Sequence, residues 1–158
     1  MEHLNSILAL QDQVSSLLTQ SDIFAQTSRE EFEESLKCDF CVAAFCQGEL
    51  ALVSLMVINR ITPRHLGNYL DYDEARLLRS ATYDTTFVHP AYRGYCLQSL
   101  GIEIKDHVAR QLGIAEILAT ISPYNPHSLN NAKAQGFAEV KRCAMYGGKE
   151  RFISRKEL

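Results

Sequence analysis

"TTFVHPAYRGYCLQSL", Thr85 to Leu100, joins a β-branched run to a segment with helical spacing, with a proline, an arginine and a glycine between them. Pro90 stops the strand, because proline has no N–H to give to a ladder. Beyond Gly94, Leu97, Leu100, Ile104 and Val108 recur as a helical stripe, which Gly113 ends. A helix that opens at a strand end leaves its first four N–H groups unpaired and carries the positive end of its dipole there, so it attracts anions, phosphate above all. Gly94 lets the backbone approach a ligand closely and Arg93 adds a fixed cation, so the stretch reads as a pyrophosphate cradle. The same residues also satisfy any strand-to-helix turn, and a lone R-G lacks the glycine spacing of a Walker A loop or a dinucleotide fingerprint.

The flanking segments supply the context. "ATYDTTFV" from Ala81 is the strand entering the loop, and "IAEILATI" is the strand after the helix. Asn125 followed by Pro126 is an N-cap with proline at the first helical position, and Gly136 closes that helix. "FAEVKRCAM" and "ERFISRKEL" flank "YGGK", whose Gly147 and Gly148 suit a primed hairpin turn. Toward the N-terminus, Leu4, Ile7, Leu8, Val14, Leu17 and Leu18 mark one face of an amphipathic helix. Ser28 with Glu31 forms a capping box ahead of Phe32 and Leu36. "FCVAAFC" and "LALVSLMVI" make a hairpin around Gly48, and the region from Arg60 to Ser80 reads as loop with short helical pieces. Strands and helices in this order predict an α/β (α+β mixed) domain over residues 1–158, a sheet with helices on both faces.

At 158 residues the chain suits one core, and 46% hydrophobic with 22% charged residues is the balance of a globular protein. A net charge of -3 and pI ≈ 5.9 exclude the broad positive field that extended nucleic-acid or anionic-membrane binding needs. No apolar run approaches a membrane span and the first residues lack the basic start of a signal peptide, which predicts a cytoplasmic protein. The 5 cysteines, an odd number, fit reduced thiols. Cys38 and Cys41 form a C-x-x-C, but no second pair or clustered His completes a metal site. "DFCVAAFC" reads as a strand whose cysteines, Cys41 and Cys46, are expected as small buried hydrophobes.

The stretch "TTFVHPAYRGYCLQSL" resembles the acyl-CoA signature of the GNAT superfamily of N-acetyltransferases, and "NPHSLNNAKAQGF", Asn125 to Phe137, resembles its later motif. Two motifs in the right order cover roughly the C-terminal half, and "YGGKERFI" is similar to a subgroup of uncharacterised bacterial members. The resemblance implies a central mixed, mostly antiparallel sheet with helices on both faces and acetyl-CoA as co-substrate. Backbone amides of Arg93, Gly94, Tyr95, Cys96, Leu97 and Gln98 would hold the pyrophosphate. The edge of the strand at Thr86, Phe87 and Val88 would bind the pantetheine arm, and Asn125, Ser128 and Asn131 match positions that face the cofactor. The acyl group would lie where the strands at "TTFV" and "LATI" splay. Three departures stand out. Ala91 replaces a polar residue before the loop, Cys96 is its second small residue, and Ala132 stands where many members have a tyrosine that protonates the leaving thiolate. The family also opens with a strand, whereas "MEHLNSILAL" goes almost directly into helical spacing. The sheet then lacks that first strand or takes it from elsewhere, and the exposed edge favours a homodimer.

The implied reaction moves an acetyl group to a primary amine of a small molecule or peptide, which must lose a proton while the thiolate gains one. Asp84, a carboxylate on an otherwise apolar strand, is the candidate base, and Tyr146 in the final hairpin the first candidate acid, with Tyr124 second. Each tyrosine serves equally as a packing residue, and His89 and His127 titrate in the useful range but fit solvent-facing roles. Two other classes remain open: a CoA-binding module without catalysis, favoured by Ala132, and a metal or redox protein using Cys38, Cys41 and Cys46.

Overall fold

A computed structural model describes residues 3–18, 23–58 and 60–158. It contains the helices α1 (Leu4–Ser16), α2 (Arg29–Cys38), α3 (Glu74–Leu77), α4 (Leu97–Gln111) and α5 (Pro126–Ala134). The strands are β1 (Phe40–Cys46), β2 (Glu49–Val57), β3 (Ser80–Val88), β4 (Glu116–Ile121), β5 (Ala138–Met145) and β6 (Lys149–Glu157), and 3-10 turns cover Leu66–Leu70 and Pro90–Tyr92. The six strands form one sheet in the order β1-β2-β3-β4-β6-β5, antiparallel except where β3 meets β4. Helix α4 is the crossover that a parallel pair requires. Helices α1 and α2 pack on one face with Leu50, Val53, Leu55 and Phe87. The other face gathers Met56, Tyr83, Ile102, Ala109, Ile117 and Phe137 beneath α4 and α5. The mixed, mostly antiparallel sheet with helices on both faces is thus the expected architecture, and among the described residues the first strand follows α2 and lies at a sheet edge.

Local signals account for the element ends. Ser28 and Glu31 cap α2 reciprocally, and Asn125 caps α5 by accepting from the Ser128 amide at 3.1 Å. In the first hairpin Gln47 and Gly48 both take positive φ, as a primed turn needs. The last hairpin departs from the expected two-glycine turn: Tyr146, Gly147 and Gly148 are all left-handed, so a tyrosine opens a three-residue loop.

Two other expectations are corrected. In α4 the buried residues are Gly101, Ile102, Lys105, Asp106 and Ala109, while Leu100 and Ile104 are exposed. The helix is turned because it settles on small residues: a Cβ on Gly101 would lie 3.3 Å from Leu52. The cysteines are not a buried set either, since Cys38 ends α2 in solvent, Cys46 is exposed and Cys41 is half-buried. Among the described residues no three His, Cys, Asp or Glu gather as metal ligands, and no helix is long and apolar enough to cross a membrane.

His65 is fully buried beside β3, with Nε2 on the Ser80 carbonyl at 3.1 Å and Nδ1 accepting from the Gly67 amide at 3.0 Å. The accepting Nδ1 fixes a neutral ring protonated on Nε2, and burial holds its pKa below the ordinary 6.5. The unfolded chain therefore binds this proton first, so the contribution is present above 6.5 and lost as pH falls through the lower folded value. Urea unfolding across that range is expected to show a flatter acid slope for His65→Gln than for the natural chain.

Candidate active site

The parallel pairing of β3 and β4 runs only from Ser80 opposite Glu116 to Tyr83 opposite Ala119. Both strands continue, β3 bonded to β2 through Val88 and β4 bonded to β6 through Ile121, but no longer to each other. Their facing edges carry main-chain N–H and C=O groups that the ladder does not use, and such groups call for another partner. On the far side of β3 the register slips: Ser54 faces Thr86 and Met56 faces Tyr83, so Leu55 alone faces Asp84 and Thr85. This bulge turns both of their side chains toward the α1–α2 face. There Asp84 pairs with Arg64 and the Thr85 hydroxyl bonds that of Thr27.

The splay opens a cavity of about 340 Å³ that reaches both faces of the sheet. Asp84, Thr86, Gln98, Asn125, Ser128, Asn131 and Tyr146 of the sequence candidates line it. Asn131 accepts from Ser99 Oγ at 2.9 Å, while its Nδ2 is buried with no partner among the described residues. Phe87 lies outside the lining, its ring buried in the α1–α2 core, as does Val88 at the strand end. Arg93, Gly94, Tyr95, Cys96 and Leu97 form the loop and helix opening that lead to Gln98. Of these, Arg93 to Cys96 are exposed. Tyr124 is exposed, its hydroxyl 3.4 Å from Glu150, and it is outside the cavity. His89 receives the Ala91 amide on Nδ1 and sets Nε2 3.5 Å from Glu49, so it braces the loop from outside the lining.

That loop leaves the first amides of α4 open. Gly94 and Cys96 have φ of 86° and 57°, and α4 starts at Leu97 with no side chain capping its first turn. Uncapped amides at the positive end of a helix are complementary to phosphate.

Burial pushes the Asp84 carboxyl up and the Arg64 guanidinium offsets part of that rise. Partial burial likewise raises the Tyr146 phenol, whose oxygen lies 3.2 Å from Thr120 Oγ1. The residues before α2 that line the cavity are held by Gln11, whose amide bonds both the carbonyl and the N–H of Thr27, at 3.0 and 2.9 Å. Phe24, Thr27, Arg64, Tyr69, Lys105 and Arg151 also line the cavity and were not singled out in the sequence. Only Lys105 carried a signal, a lysine one turn from apolar residues in the middle of α4.

The sequence matches no protein family and no curated protein. Solved structures do match. A ribosomal-protein-alanine N-acetyltransferase from Brucella melitensis superposes with a TM-score of 0.73 at 18% identity, over 99% of this chain and 95% of that one. An acetyltransferase of the GNAT family from Streptococcus pneumoniae gives 0.72 at 15% identity over 99% and 94%. The PaiA N-acetyltransferase from Thermoplasma acidophilum, solved in complex with coenzyme A, gives 0.70 at 14% identity over 99% and 94%. At these identities the likeness is one of fold, and the fold of this chain is that of the GNAT N-acetyltransferases.

Proposed function

We propose that the chain transfers an acetyl group from acetyl-CoA to a primary amine of a small molecule or peptide, in the cytoplasm. The observation that carries this reading is the parallel pair that stops at Tyr83 and Ala119 while both strands run on, opening a cavity beside an uncapped helix start. The amides of Arg93 to Gln98 hold the pyrophosphate, and the free edge of β3 at Thr86 to Val88 takes the pantetheine amides as an added strand would. Asn125, Ser128 and Asn131 face the same arm, with the Asn131 amide left free to donate. The acceptor enters from the α1–α2 face, where Asp84 takes its proton and Tyr146 supplies one to the leaving thiolate. Holding thioester and amine in line supplies much of the acceleration.

A second reading, a CoA-binding module without catalysis, is favoured by Ala132, which places no hydroxyl in the cavity. Calorimetry with acetyl-CoA and thiol release with a panel of amines separate the two. Micromolar binding with amine-dependent release is the expected result, binding without release establishes the module, and no binding ends both readings.

A further inference from the structure

Lys105 takes no part in the reading above, yet it lines the cavity from α4 along with Gln98 and Ile102. None of its surface is exposed. Its Nζ donates to the Leu55 carbonyl at 3.3 Å and lies 3.8 Å from the centre of the Tyr83 ring. Asp84 and Asp106, the carboxylates whose charge it feels, are each paired with another cation, Arg64 and Lys156. Leu55 is the residue that faces the bulge alone, so the ammonium is attached where the β2–β3 ladder is interrupted, behind the segment whose front edge borders the cleft.

Stability does not explain this placement. Taking an ammonium out of water for one carbonyl and one ring face is unfavourable, and an unbranched apolar side chain of similar length would fill the space without that cost. Burial brings the amine down to about 7 from 10.5.

We propose that Lys105 is a positioning residue of the transfer site, which through Leu55 fixes the bulged Asp84–Thr85 segment and so the edge that receives the thioester. The proposal rests on the acyl-transfer reading. The titratable and charged groups that face Lys105 are Asp84 and Tyr83 from β3, Cys41 from β1 and Asp106 of α4 itself, with Lys156 of β6 behind Asp106. A folded value below the unfolded one makes the burden of burial absent above 10.5, growing as pH falls and complete below about 7.

The test compares the natural chain with Lys105→Met. The variant is expected to unfold about 3–8 °C higher near about pH 6, because the relieved ammonium outweighs the one partner lost by the Leu55 carbonyl. This gain shrinks toward pH 10.5, where the amine is neutral in both states. Its kcat for the best acceptor is expected to fall about 10- to 100-fold with KM for acetyl-CoA within about threefold, as misplacement of an edge predicts. The natural chain is expected to show an inflection near 7 in the pH profile of kcat, and the variant to lack it. A variant that folds less well, or one that keeps kcat and the inflection, overturns the proposal. A natural chain that binds no CoA by calorimetry removes the acyl-transfer reading itself, a separate outcome.

Discussion

Gly94→Glu is expected to weaken acetyl-CoA binding at least about 100-fold, the equivalent of about 2.7 kcal/mol. Two effects combine. At φ 86° the glycine occupies backbone space that L residues rarely adopt, which costs about 1–2 kcal/mol of stability and lowers the midpoint by a few degrees. A Cβ there meets nothing within 4 Å, so the substitution adds no clash and the fold survives. The larger effect is on the ligand, since a carboxylate two positions from the N-cap Cys96 competes for the same uncapped amides and repels the diphosphate. Gly94→Ala separates the two, because it carries the backbone strain without the charge. Calorimetry should find the alanine variant within about tenfold of the natural chain, a difference of about 1.4 kcal/mol, and the glutamate variant silent. Equal affinities for all three would mean that the diphosphate lies elsewhere.

This loop was legible in the sequence because its signals are local. Pro90 ends a strand, Gly94 takes positive φ, and α4 begins at Leu97, where the apolar spacing starts. Capping at Ser28 and Asn125 and the turn at Gly48 could be read for the same reason. What the chain hid depends on register between distant strands. Nothing within "ATYDTTFV" shows that Asp84 and Thr85 share one opposite residue, which follows from where Ser54 and Met56 pair. The stripe of α4 misled for a related reason. Apolar Leu100 and Ile104 give the stronger pattern, but Gly101 and Ala109 permit a closer approach to the sheet, and the face they share carries Lys105 and Asp106 inward. One base and one acid that periodicity assigns to solvent thus end in the interior, Asp106 between the Tyr83 hydroxyl and Lys156. Asp84 could be picked from the sequence, but its partner could not. Arg64 reaches it from the irregular segment between β2 and β3, which offers no periodicity to read.

That partner makes the second large prediction. Arg64→Met is expected to cost about 3 kcal/mol above neutral pH, the usual loss when one member of a mostly buried ion pair is removed. The guanidinium also bonds Ser35 Oγ at 2.8 Å and the Glu31 carbonyl at 3.2 Å, and losing these adds a share that does not vary with pH. The remainder must vary with it. The Asp84 carboxyl is already raised by burial, and Arg64 is what holds it down. Without Arg64 the folded value climbs further above the unfolded one, so the deficit is small in acid, where the group is neutral in both states, and grows as pH rises through the folded value. Asp84→Asn on the Arg64→Met background removes the orphaned charge, so above neutral pH the double variant should be more stable than Arg64→Met alone. Denaturant unfolding of the four proteins at acid and alkaline pH gives the coupling directly. If Asp84 is also the base, the alkaline shift of its pKa must appear in catalysis, with the acid limb of kcat/KM moving to higher pH in Arg64→Met. A stability cycle that couples strongly beside an unmoved limb would leave the pair structural and pass the acceptor's proton to water.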